Sequence, residues 1–314
     1  MAAIISICIP CYKSERYIRT TIESALAQTS PADELLISDD NSPDRSFEIV
    51  KEYEGLPRVR IIRPSQRISL GEHYRFLLEH SRGDYLCFLS SDDALMPSFV
   101  ETMRGEIENN VSLVAAASLE CNGNLIPRRA RGIALPSTSF DPPQGFHYFS
   151  TGNGYTISFA LMARQFLLQI PALPKDADLA TDWYWALMLG TKGTVKFVRK
   201  PLGYYRVHGS NAGHDNTHNW RKACAAMLAF TKKNIDAELG QSLESRLEGI
   251  QNAIASAERG EVEAFLPRSL KARAKESARK LVALRYRSLP EFILKAEQGV
   301  GMALAGDLRP NDRR

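Results

Sequence analysis

Cysteine is scarce in this 314-residue chain, and the five present are an odd number, which argues against a secreted disulfide framework. Long apolar runs are missing too: Ala2 to Pro10 and Leu113 to Leu119 are far too short to cross a bilayer as a helix. No basic flank precedes the first of these runs, so a signal peptide is not expected and a cytoplasmic chain is. Pro10 to Ser14 contains no glycine, so a phosphate-cradling glycine loop does not follow the first apolar segment. Internal repeats and low-complexity tracts are absent as well.

What is present suits a large soluble protein. Hydrophobic residues make up 44% and charged residues 24%, enough to bury a real core. The length exceeds one ordinary compact domain. The net charge of +4 is unevenly spread: residues 216–314 carry 18 Lys+Arg against 12 Asp+Glu, while the remainder carries 22 against 24. The basic excess therefore lies in the last third.

The first half alternates strand-like and helix-like patterns. Strands are expected at Ile4–Ile9, Glu34–Ser38, Arg58–Ile62 and Asp84–Leu89, with helices at Glu15–Gln28, from Ser42-Pro43-Asp44 to about Tyr53, and at Gly71–Ser81. This order predicts a Rossmann-like, mostly parallel sheet flanked by helices, with its ligand crevice beyond the carboxyl ends of the strands. Asn122 to Gly154, rich in Pro, Gly, Ser and Arg, reads as a long surface loop. A strand at Tyr155–Ala163, a Trp-rich helix at Thr181–Leu189 and a strand at Thr194–Val198 ending before Pro201 follow. From about residue 216 the pattern is helical, which places a boundary near 215: an α/β domain over 1–215 and a helical region over 216–314.

Acidic residues fall just past the predicted strand ends: Asp39 and Asp40, then Asp92 and Asp93, with Asp182 opening the Trp-rich helix. Asp is common in turns and helix starts, so each alone is ordinary. Together they would meet at one sheet edge, and adjacent carboxylates are best explained by a hard divalent cation that leaves positions open for phosphate oxygens. The Cys8–Cys11 pair lacks a second CxxC to complete a zinc site, and Cys8 sits inside a strand, so redox or metal chemistry there is not expected.

These segments resemble the family 2 glycosyltransferases of GT-A fold. The resemblance is carried by Ile4 to Tyr12, Thr21-Ile22-Glu23-Ser24-Ala25-Leu26-Ala27-Gln28-Thr29 and Ser38-Asp39-Asp40-Asn41-Ser42-Pro43-Asp44. Gly83-Asp84-Tyr85, then Phe88 to Asp93 with Pro97, Thr181-Asp182-Trp183 and Pro201 to Asn211 complete the set. It spans about residues 3–213 in order.

The resemblance implies a nucleotide-diphosphate-sugar donor. Pro10 and Tyr12 would cup the nucleobase with Glu15 at its edge, and Asp39 would accept a hydrogen bond from a base imide, favouring uracil or thymine. Asp92 would lie near the ribose, Asp93 would hold Mn²⁺ or Mg²⁺, and His208 would approach the diphosphate or metal. Asp182 would be the catalytic base. Three positions depart from the family pattern: Ser90 and Thr181 stand where acids are common, and Ser69 where asparagine is frequent.

The chemistry fits these residue types. A cation stabilises charge on the departing diphosphate. A carboxylate base takes the acceptor proton, worth about 10²- to 10⁴-fold in rate. One base and no covalent intermediate predict inversion. At a helix start, Asp182 is expected to favour its charged form.

Other features keep two readings. Trp183 and Trp185 are core residues or a stacking platform for the acceptor sugar. His214 and His218 are a solvated face or half of a metal site. Arg128, Arg129 and Arg131 are a solvated loop or a contact to an acceptor phosphate. Between Arg268 and Arg287, eight basic residues against Glu276 accompany Leu270, Ala274, Leu281 and Leu284 at helical spacing. That is a basic amphipathic pattern, suited either to an anionic inner-leaflet surface presenting a lipid-linked acceptor or to packing on its own domain. No nucleic-acid motif accompanies it. The expected enzyme is a glycosyltransferase acting on a glycan or lipid-linked acceptor in surface polysaccharide synthesis. A nucleotide-sugar-binding protein without catalysis and a nucleotidyltransferase on a similar sheet are the rivals.

Overall fold

The computed structural model describes residues 2–132, 139–209 and 217–258. The strands are β1 Ile5–Cys11, β2 Glu34–Asp39, β3 Val59–Ile62, β4 Tyr85–Phe88, β5 Ala94–Leu95, β6 Val111–Cys121, β7 Pro127–Arg131, β8 Ser139–Phe140, β9 Ala160–Ala163 and β10 Thr194–Arg206. The helices are α1 Ile18–Leu26, α2 Ser46–Lys51, α3 Leu70–His80, α4 Phe99–Gly105, α5 Gln144–Ser150, α6 Arg164–Leu167, α7 Thr181–Leu189, α8 Thr217–Lys233, α9 Ala237–Gln241 and α10 Glu244–Glu258.

All ten strands join one sheet, ordered β3-β2-β1-β4-β9-β6-β10-β5, with β7 on β6 and β8 on β10. The pairs β1–β2, β1–β4, β2–β3 and β6–β10 are parallel, whereas β9 runs against both its neighbours. Strand order reverses at β1, which opens a crevice past its carboxyl end. β1 is buried along its whole length, as a strand covered by helices on both faces must be. Ile5, Ile7 and Ile9 pack with α1, α2 and α4, while Cys8 faces the other layer with α3, α5, α7 and α8.

Several expectations are corrected. The segment 122–154 is not simply a loop: β7, β8 and α5 lie within it, and Phe146 and Phe149 of α5 are core residues. β10 does not stop before Pro201. Register shifts on either side of that proline absorb its missing N–H, and the strand continues to Arg206. The first part of 155–163 is a 3₁₀ turn, Ile157–Phe159, ahead of β9. β6, whose Leu113 to Leu119 stood out only as an apolar run, becomes a central strand. The second helix begins at Ser46, after a turn in which Asp44 Oδ1 accepts from the Ser46 amide at 3.1 Å. Ser69 caps α3, accepting from the Glu72 amide while Glu72 accepts in return from the Ser69 amide. The helical run after 216 packs into the core through Ala223, Cys224, Met227 and Leu228 of α8.

No helix among the described residues is long and apolar enough to cross a membrane. His214, the side chain of His218, and the basic segment 268–287 lie outside the described residues.

Candidate active site

The carboxyl ends of β1, β2 and β4 bring the loop residues together. Ser14, after β1, lies with its Oγ 2.6 Å from Ser91 Oγ on the loop after β4, and the Asp40 amide donates to the Cys11 carbonyl at 2.8 Å. Pro10 is buried in β1, and Tyr12 follows at the rim with the Arg67 guanidinium 3.8 Å from its ring centroid. Asp39 ends β2 fully buried. Its Oδ2 accepts from the Ser42 amide at 3.2 Å and pairs with Arg63 at 3.1 Å, while its Oδ1 has no hydrogen-bond partner. A buried carboxylate oxygen without a donor is costly, and a ligand N–H would satisfy it. Glu15 is exposed; its Oε2 accepts from the Arg45 amide at 3.0 Å, so it also fixes the turn into α2.

On the loop after β4 the two aspartates divide. Asp93 is 1% exposed. Its Oδ2 accepts from the Ser158 hydroxyl at 2.6 Å and its Oδ1 from the Arg206 amide at 2.9 Å. Burial first, then the neighbouring Asp92 charge, pushes its carboxyl well above the usual range. Both Asp93 oxygens are thus engaged by the fold, and the expectation that this residue holds the metal has to compete with those two donors. Asp92 is the outward member: its Oδ2 lies 3.0 Å from His208 Nε2, with side chains 24% and 11% exposed. Ser90, in the position where an acid is common, joins the same network, its amide donating to Ser158 Oγ at 3.2 Å.

Asp182 stands half-buried in the first turn of α7. Its Oδ1 accepts from the Trp183 amide at 2.7 Å and its Oδ2 from Asn153 Nδ2 at 2.8 Å. Burial nevertheless raises its carboxyl pKa against those two donors. The expectation that a helix start favours the charged form of Asp182 is therefore opposed by desolvation, which is the larger influence. Thr181 does not cap the helix; its hydroxyl donates to the Asp178 carbonyl at 2.7 Å. Trp183 is fully buried, with Nε1 donating to the Phe149 carbonyl at 2.8 Å, so it is core and not a stacking platform.

Tyr74 of α3 is buried against Phe88 and Trp185. Its buried hydroxyl is driven up by burial and then by the carboxylates of Asp182, Asp92 and Asp93, all of which bear on it. The CxxC cysteines are inert by contrast: both are buried, and Cys11 is pushed up to about 12, chiefly by burial.

Residues that the sequence did not single out do much of the holding. Arg206 is fully buried, its Nε donating to the Asp92 carbonyl at 2.6 Å and its Nη1 to the Gly123 carbonyl. Its place two residues before His208 was the available signal. Asn153 and Ser158 gave none, lying in segments read as loop or strand. Among the described residues no group of three or more His, Cys, Asp or Glu is placed to hold a metal. Asp92 and His208 still fit a divalent ion that takes only one or two protein ligands, because adjacent ligands of an octahedron at about 2.1 Å lie about 3.0 Å apart.

The E. coli chondroitin synthase is 37% identical over 214 residues, covering 66% of this chain but 29% of that protein. The hyaluronan synthase of Pasteurella multocida is 30% identical over 247 residues, covering 76% of this chain and 23% of that protein. The chain thus spans less than a third of the length of either relative. Among solved structures, S. aureus TarS 1-349 in complex with UDP-GlcNAc superposes with a TM-score of 0.61 at 16% identity, covering 97% of this chain and 88% of that one. Its complex with UDP gives 0.57 at 17% identity, with 90% of each chain covered. These likenesses establish the GT-A-like fold. The family described as glycosyl transferase family 2 matches residues 6–169, just over half of the chain, and the protein belongs to that family.

Proposed function

We propose that the protein is a glycosyltransferase that moves a sugar from a UDP- or dTDP-linked donor to a hydroxyl of a glycan or lipid-linked acceptor, with inversion, in polysaccharide synthesis. The observation that carries this reading is the Asp92–His208 pair at 3.0 Å, on a loop joined to the start of α7 through residues 155–158, where the Tyr155 hydroxyl donates to the Asp182 carbonyl at 2.7 Å and the Ser158 hydroxyl to Asp93 at 2.6 Å. The unpartnered Oδ1 of Asp39 favours a base with an imide N–H beside Pro10 and Tyr12. The titles of the TarS structures name UDP and UDP-GlcNAc as ligands of that protein, in keeping with such a donor.

In this mechanism Asp39 and Tyr12 would hold the nucleoside, and Asp92 with His208 would hold Mn²⁺ or Mg²⁺. A divalent ion there supplies positive charge against the departing diphosphate. The mixed carboxylate and imidazole set favours Mn²⁺ over Mg²⁺. Asp182 Oδ2, oriented by Asn153, takes the proton of the acceptor hydroxyl as that oxygen attacks the anomeric carbon. A single displacement inverts that carbon. The basic segment 268–287 would dock the enzyme on an anionic cytoplasmic membrane face near a lipid-linked acceptor; co-sedimentation with anionic vesicles, lost on charge reversal of that segment, tests this part.

The central experiment incubates the protein with a panel of nucleotide sugars, Mn²⁺ and glycan acceptors. Release of a nucleoside diphosphate that disappears in Asp182→Asn, with nucleotide binding retained, supports the enzyme. Pyrophosphate release would instead mean nucleotidyl transfer, and binding without release would mean a catalytically silent relative.

A further inference from the structure

The loop and strand end that carry Asp92 and His208 meet a residue to which nothing above gives a role. Tyr17 stands immediately before α1 and is 7% exposed. Its ring stacks on the His208 imidazole, with centroids 4.5 Å apart and planes at 29°. The Arg206 guanidinium lies 4.4 Å from the centroid of the same ring. Arg206 ends β10 and His208 follows two residues beyond it, and Tyr17 meets both side chains.

Each part of this cluster is anchored separately. Arg206 is fixed by Asp92 and Gly123 through their carbonyls and by Asp93 through its own amide. The Tyr17 amide donates to the Ser14 carbonyl at 2.9 Å, and one turn on, Thr21 Oγ1 donates to the Asp93 carbonyl at 2.7 Å. The start of α1 and the aspartate loop are thereby one unit. Within it, the His208 imidazole has one ring face covered by Tyr17, whose ring is itself met by the Arg206 guanidinium. Among the described residues the Tyr17 hydroxyl makes no hydrogen bond, so the ring and not the hydroxyl is the working part.

We propose that Tyr17, braced by Arg206, is a positioning residue that holds the His208 ring with Nε2 turned to Asp92, and so sets how tightly the protein binds a divalent cation with a nucleoside diphosphate. The inference rests on the metal reading of Asp92 and His208 given above. Partners behind a metal ligand typically change affinity by about 10- to 100-fold when removed. A stack without a hydrogen bond falls at the lower end, so Tyr17→Leu is expected to weaken Mn²⁺ binding about tenfold.

The test measures Mn²⁺ affinity by electron paramagnetic resonance titration in the presence of saturating UDP. The full-length protein is compared with Tyr17→Phe, Tyr17→Leu, His208→Ala and the double variant. Tyr17→Phe should match the parent, Tyr17→Leu should lose about tenfold, and the Tyr17→Leu effect should vanish in the His208→Ala background, as coupling through one residue requires. UDP affinity in EDTA should be unchanged by Tyr17→Leu. Parent-like Mn²⁺ affinity in Tyr17→Leu, or an equal loss with and without His208, overturns the role of Tyr17 while leaving the metal reading standing. Unchanged Mn²⁺ affinity in His208→Ala overturns both. Should Tyr17→Leu not fold, the parent protein decides: the His208 ring protons should show an upfield ring-current shift that persists with Mg²⁺ and UDP bound, and its disappearance on binding overturns the proposal.

Discussion

Acid should weaken this fold through His73, a residue to which the sequence assigned no role. His73 lies on α3 and is 3% exposed, with Nε2 2.8 Å from Ser38 Oγ of β2. Burial lowers its pKa from 6.5 to about 4, against the opposing pull of Asp39 and Ser38. A histidine depressed in the folded state binds its proton more readily when the chain is unfolded. Stability from this group is thus fully present above pH 6.5 and is lost as pH falls towards 4. The linkage relation gives a loss of about 2 kcal/mol by pH 5 and about 3 kcal/mol by pH 4. That is a large share of a typical domain stability of about 5–15 kcal/mol. His73→Gln keeps a polar group toward Ser38 and removes the titration. Urea unfolding of the parent and the variant between pH 7 and 4 should therefore show their stability difference shifting by about 3 kcal/mol in the variant's favour. A difference that stays flat across that range would refute the reasoning, whatever the variant's absolute stability.

Four further outcomes are expected. Asn153→Ala removes a donor from Asp182, so the acid limb of the kcat/KM profile should move to higher pH, the direction in which burial already pushes this carboxyl. Asp39→Ala should weaken uridine nucleotide binding about tenfold or more, read by thermal shift, and erase the preference for UDP over CMP. Asp92→Asn should weaken Mn²⁺ binding, whereas Asp93→Asn should leave it nearly unchanged, because both Asp93 oxygens already face Ser158 and Arg206. Gly203→Ala would place a Cβ 2.0 Å from the Phe159 ring, an overpacking that typically costs about 1–3 kcal/mol and should appear as a lower Tm.

The sequence by itself determined the repeated strand and helix alternation of the first half, since Ile5, Ile7 and Ile9 on one face and Cys8 on the other leave β1 no exposed side. It also placed Asp39, Asp92 and Asp182 near element ends, because short connections after buried strands put polar residues at the crevice. It could not reveal which of two adjacent aspartates faces inward. That choice depends on Ser158 and the Arg206 amide, 65 and 113 residues away in the chain, closing on Asp93. Nor could it show β6 and β10 as central strands, because small residues such as Ala115 to Ala117 and an internal Pro201 weaken strand patterns until neighbouring strands impose pairing. Trp183 read either way until α5 closed over it. Local patterning was written along the chain, whereas burial of a particular carboxylate, imidazole or indole is a property of distant segments packed together, and only the tertiary structure decided it.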